Sequence, residues 1–166
     1  MSLTLFFAHG GVGLAALPTI KANSGAFETV VPRGFINDTA AFSGSAFRVE
    51  LAIGGPTVDS FAVNINVVRE RTTITSVGTL AQESMVFIKH TTRADDFSIL
   101  QNLTVDGAPA RAFGYLVSYG RALHQRQVYV IHDGWGYVIT YTALAGGQYH
   151  GSLPALSETL HGWRWR

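Results

Sequence analysis

Residues 46–53 alternate between apolar and polar positions, with Arg48 and Glu50 set between Phe47, Val49, Leu51 and Ile53. A period of two puts successive side chains on opposite sides of an extended chain, so this run predicts a half-buried strand. Gly54, Gly55 and Pro56 are read as its end. Residues 60–71 repeat the signal: Phe61, Val63, Ile65 and Val67 face one way, Asn64 and Asn66 the other. The two runs predict neighbouring antiparallel strands joined by a short loop. Before them, Phe27, Val30 and Val31 form a strand that stops at a turn over Pro32, Arg33, Gly34 and Phe35, and a polar stretch follows over residues 37–45.

The period then lengthens. Ile74, Val77, Leu80 or Ala81, Met85 and Ile88 recur at helical spacing, with Thr79 and Gln82 as a capping box and an end near His90. Three strands fill the middle of the chain, over 97–105, 110–119 and 127–132, and a last one spans 135–144. Asp106-Gly107 and Asp133-Gly134 are hairpin turn signals. A closing helix is read with Ser152 as N-cap, Pro154 in the first turn, and Leu153, Leu156, Leu160 and Trp163 in one stripe. Residues 1–24, rich in Gly and Ala without periodicity, are read as an irregular N-terminal arm, and 25–166 as a single domain.

Strands joined by tight hairpins must pair antiparallel, since parallel neighbours need a crossover of about a dozen residues or more. Two helices beside such a sheet predict an α+β sandwich.

Composition agrees with one folded domain. The chain has 166 residues, 47% hydrophobic and only 14% charged, and mean hydropathy is +0.19. That balance supports a sizeable core and is the opposite of disorder. A charge-poor surface tends to associate, which admits a homo-oligomer or a bound partner. Net charge is +1 with no basic run, so the electrostatic footprint of a nucleic-acid binder is missing. The apolar stretch over 3–17 is broken by His9 and glycines and is too short to span a membrane. It lacks the charged start of a secretory signal. There is no cysteine. That removes disulfides, thiolate metal sites and cysteine nucleophiles.

Candidate chemistry is sparse. Gly11, Gly13 and Ala16 match a dinucleotide-binding glycine pattern, but Pro18 arrives too soon for the helix that would hold the pyrophosphate. The six histidines, His9, His90, His124, His132, His150 and His161, show neither the i, i+4 spacing of helical zinc ligands nor the i, i+2 spacing of strand ligands. No Gly-x-Ser-x-Gly elbow occurs. Asp95-Asp96 is the one adjacent acidic pair and reads as a turn or cap. No catalytic residue, metal ligand or cofactor is expected.

Aromatic residues gather in the last three strands: Tyr115, Tyr119, Tyr129, Trp135, Tyr137 and Tyr141, with His124, Arg126 and His132 among them. Cross-strand packing accounts for most such clusters. The sharper reading is a binding face made by His124, Arg126, His132, Trp135 and Tyr137, because Tyr, Trp and Arg dominate interface hot spots.

Several of these segments resemble a known superfamily. Val31 to Phe35 (Val-Pro-Arg-Gly-Phe) is similar to the P-x-G-W/F element that opens PsbP-like domains. The Asn-Ile-Asn-Val core of the 61–68 strand, the helix after it, the Val-Asp-Gly-Ala-Pro-Ala turn at 105–110 and the hairpin from 125 to 142 fit as well. Over residues 26–163 the chain most resembles the LpqN-type actinobacterial lipoproteins. The resemblance implies an α/β/α sandwich around an antiparallel sheet. It also implies a family of binding or accessory proteins: photosystem extrinsic subunits, a Ran-binding import factor, secretion chaperones and envelope lipoproteins. It carries over no catalytic residue. Those lipoproteins have a lipid-attachment cysteine that this chain lacks, so an envelope or secreted location is implied by resemblance alone.

The functional expectation is therefore a non-enzymatic binding or accessory protein that engages a protein or small ligand. The alternative is a hydrolase or metal-dependent enzyme whose site is assembled from dispersed His and Asp residues, His124 and His132 first.

Overall fold

The computed structural model describes residues 16–42 and 48–166. Residues 1–15 of the N-terminal arm, with His9 and the glycines of the nucleotide-like pattern, and residues 43–47, with Phe47, lie outside the described residues.

The chain runs β1 (Thr19–Lys21), β2 (Phe27–Val30), β3 (Ile36–Asn37), a 3-10 turn (Thr39–Phe42), β4 (Val49–Val58), β5 (Phe61–Arg71) and α1 (Val77–Thr91). It continues through β6 (Gln101–Val105), β7 (Ala108–Ser118), β8 (Ala122–His132), β9 (Trp135–Leu144), α2 (Gly147–His161) and β10 (Arg164–Trp165). Seven strands form one sheet in the order β3-β4-β5-β9-β8-β7-β6, and β1-β2-β10 form a second of three. Every named pair is antiparallel. After the β4–β5 hairpin, α1 carries the chain to the far edge at β6. The β6-β7-β8-β9 meander then walks back until β9 docks on β5.

The turns explain this path. Asp106 and Gly107 have φ of 45° and 80°, Asp133 and Gly134 have 49° and 74°, and Asp59 and Ser60 have 47° and 61°. Two successive left-handed residues make the two-residue hairpin whose twist matches the strands it joins.

The sheet is covered on both sides. Along β8, Val128 and Val130 belong to one buried cluster and Tyr129 to another; along β9, Tyr137, Ile139 and Tyr141 belong to the first and Val138 flanks the second. The first cluster contains Tyr149, Ala155 and Leu156 of α2, together with Phe27 and Trp163. The second contains Ala81, Met85 and Ile88 of α1. Strand alternation therefore feeds two cores, one under each helix, and the architecture is the expected α+β, an α/β/α sandwich.

Several boundaries differ from the sequence reading. Gly54-Gly55-Pro56 does not end β4, which runs on to Val58 with a register shift between Gly54 and Thr57. A bulge tolerates Pro, and a Cβ at Gly55 would run into the Phe35 ring. The cap of α1 is Ser76, whose side chain accepts from the Thr79 N–H, so Thr79 is the receiving partner rather than the cap. The strand read from 97 begins only at Gln101. Residues 95–98 make separate bonds to β7, through Asp95 with Leu116 and Ser98 with Gly114.

Helix α2 starts six residues earlier than a Ser152 cap would set it, on Gly146 at φ 90°. Tyr149, in this early part, is buried and holds it down; Pro154 sits inside the helix. Trp163 lies beyond α2, fully buried and stacked on Phe27 at 3.8 Å. Within the region read as irregular, Thr19–Lys21 is strand, paired to β2.

Candidate functional site

All five residues of the expected binding face project to the α2 side of the large sheet. His124, Arg126 and His132 share the side of β8 that carries Val128 and Val130, and the register sets Trp135 opposite His132 and Tyr137 opposite Val130. Sharing a side does not bring them together. His124 and His132 are eight residues apart on one strand, roughly 26 Å.

Each has its own surroundings. The His124 ring stacks on Tyr149 at 3.7 Å and 7° from parallel. Burial pulls its pKa below the usual imidazole range, with Asp96 opposing the shift and His150 and Arg126 adding to it. His132 stacks on Trp165 at 4.1 Å, and its Nε2 lies 3.5 Å from Asp133 Oδ2. The Trp135 ring is packed by two guanidinium groups, Arg69 at 4.1 Å and Arg71 at 4.3 Å from its centroid. Tyr137 is 1% exposed, packed by Phe27 and Trp165, and has no surface to offer a ligand. Its phenol pKa is raised by burial, and the neighbouring Arg69 opposes the shift.

Arg126 is different. It lines a groove of about 490 Å³ with Leu103, Thr104, Val128, Leu153, Leu156, Ser157, Leu160 and His161. The groove lies beside α2, whose main sheet contacts are with β9 and β5, on the flank that faces β8, β7 and β6. Opposite Arg126, Val128 and Val130, β7 turns Gly114, Ala112 and Ala110 toward this side, so little bulk rises from β7 beside the groove. The walls are Leu and Val; the ionisable lining groups are Arg126 and His161, with no carboxylate. Arg126 donates from Nη2 to Gln101 Oε1, a neutral acceptor, and among the described residues no ion pair involves it. A volume of this size is in the range of small-molecule sites, about 300–1,000 Å³.

The opposite side carries a shallower depression of about 440 Å³ between α1 and the sheet, lined among others by Leu80, Phe87, Gln127, Tyr129, Val138 and Thr140. Gln127 and Tyr129 of its lining belong to a chain of neutral bonds that runs on along the sheet. Gln127 Nε2 donates to Tyr115 Oη at 3.1 Å, Gln125 Nε2 donates to Thr142 Oγ1 at 3.1 Å, and the Tyr115 and Tyr129 hydroxyls donate to Gln125 and Gln127. These phenols are buried and their pKa values lie well above the usual tyrosine range.

The aromatic cluster is mostly core: Tyr115, Tyr129, Tyr137 and Tyr141 are buried, while Tyr119 is exposed. Among the described residues no three His, Asp or Glu gather as a metal site. No helix of the described residues is long and apolar enough to cross a membrane. Sequence reasoning singled out Arg126 but not its partners from β6 and α2. The α2 leucine stripe was visible, yet nothing local announces that Leu153, Leu156 and Leu160 line a groove shared with Arg126.

No family profile matches the sequence, and no curated protein matches it. Solved structures do. LpqN of Mycobacterium tuberculosis, involved in cell envelope biogenesis, superposes with a TM-score of 0.65 at 12% identity, covering 93% of this chain and 86% of that one. The cyanobacterial PsbP of Synechocystis gives 0.61 at 15% identity, covering 96% and 98%. The Ran-binding protein Mog1p of Saccharomyces cerevisiae gives 0.57 at 13%, covering 90% and 95%. The chain has the PsbP-like fold that its sequence resembles, and LpqN is among the structures that share it.

Proposed function

We propose that this domain is a non-enzymatic binding or accessory protein that holds a small ligand in the groove along α2, with Arg126 at its polar end. The observation that carries the reading is the combination in one cavity of four Leu side chains, Val128 and a guanidinium without a carboxylate partner. Such a site grips apolar surface by burial and orients it by one placed polar group. The separation of His124 from His132 counts against a site assembled from those two histidines.

The fold neighbours support the class. Mog1p is a Ran-binding protein and LpqN is involved in cell envelope biogenesis; none of the three is named for a reaction. LpqN also supports an envelope or secreted setting for the proposal.

The test uses the neutral fluorophore N-phenyl-1-naphthylamine. Saturable enhancement is expected with the native protein. Ser157 is exposed and lines the groove, so Ser157→Trp fills the groove without disturbing the core. Affinity is expected to fall at least about tenfold in that variant, since a ligand that cannot enter loses its buried area. Unchanged titrations in the two proteins would count against the groove.

A further inference from the structure

The lining of the α2 groove also selects among ligand classes. A guanidinium offers five N–H donors in a planar fork, and Arg126 commits one of its terminal nitrogens to the Gln101 amide oxygen. The groove contains no Asp or Glu. The other acidic groups that make ion pairs are occupied elsewhere: Glu50 with Arg69, Asp106 with Arg164, Glu28 with Arg166, and Asp133 with His132. Leu103, Val128, Leu153, Leu156 and Leu160 supply a continuous apolar wall beside that cation. His161 lies at the α2 end of the lining, its Nδ1 2.7 Å from the Ser157 carbonyl oxygen.

We infer that the groove binds a monoanionic amphiphile, a fatty-acid carboxylate with a medium-length chain. The carboxylate would take the free edge of the Arg126 fork in a two-bond contact, and the chain would lie along the leucines. A neutral ligand of the same length would leave the cation without a counter-charge over apolar surface, and an acidic peptide would leave the leucines unused. The inference rests on the groove being a ligand site.

Calorimetric titration of the intact protein with decanoate, octanoate and decanol tests it. Decanoate is expected to bind at least tenfold more tightly than decanol. Its affinity should exceed that of octanoate by about tenfold, because each buried methylene is worth roughly a factor of four. Arg126→Gln should weaken decanoate about ten- to a hundredfold and leave decanol unchanged. Arg126→Lys, which keeps the charge but not the fork, should lose less. Thermal melts of both variants check that they fold.

If decanol binds as tightly as decanoate and Arg126→Gln changes neither, the anionic class is wrong while the groove remains a ligand site. If neither probe binds, or both bind Ser157→Trp as well as the native protein, the groove reading fails and this inference fails with it.

Discussion

His132 and Trp165 lie face to face, ring centroids 4.1 Å apart and planes 13° from parallel, so the last strand of the chain is tied to the β8–β9 hairpin. Trp165 also donates from Nε1 to the Val105 carbonyl at 3.1 Å and from its backbone N–H to Asp106 Oδ2 at 2.9 Å. Two residues earlier, Trp163 is fully buried against Phe27. Trp163 and Trp165 thus close the α2-side core. Trp163→Ala is expected to cost about 3–5 kcal/mol, the usual range for a large buried aromatic, and the half-buried Trp165→Ala about 2 kcal/mol. Urea unfolding measures both.

Glu50 is 3% exposed and meets Arg69 Nε at 2.7 Å, while its second oxygen accepts the Ser24 N–H at 3.0 Å. Arg69→Met leaves this carboxylate buried without its cation, and removing one partner of such a pair costs about 3–5 kcal/mol. The double variant Glu50→Met/Arg69→Met should recover most of that loss. Urea midpoints of the two proteins compare them.

Of the three two-residue hairpins, β4–β5 alone has no glycine: Ser60 sits at φ 61°. A side chain in the left-handed region costs roughly 1 kcal/mol relative to glycine. Ser60→Gly is therefore expected to raise stability by about 1 kcal/mol, read as a higher urea midpoint with an unchanged slope.

Burial holds the His124 pKa below its ordinary 6.5, so the unfolded chain takes up this proton at a pH where the folded chain does not. Stability from this residue is fully present above 6.5 and falls as pH drops below it. His124→Phe keeps a ring against Tyr149 and removes the proton site. The decline in urea midpoint between pH 7.5 and 5 should be shallower in the variant.

The strands with strict alternation and a glycine turn were legible from the sequence. Val63, Ile65 and Val67 are all fully buried, and both Asp-Gly turns lie where expected. What escaped depends on partners distant in the chain. Thr19–Lys21 is strand only because β2 lies beside it, and α2 extends back to Gly147 because Tyr149 finds a pocket against Tyr141 and His124. Ser152 has the chemistry of a cap, but that tertiary contact overrides it. Arg126 stood out by composition. The groove beside it follows from where α2 crosses the sheet and from the small residues of β7, neither of which is a local pattern.

The most direct test of the account is a map of backbone amide shifts in the folded protein as decanoate is added. Changes concentrated on Leu103, Thr104, Arg126 and the α2 flank from Leu153 to His161 are expected, saturating at one site. Changes centred instead on Phe87, Gln127 and Tyr129 on the α1 side, or no saturable change anywhere, would contradict it.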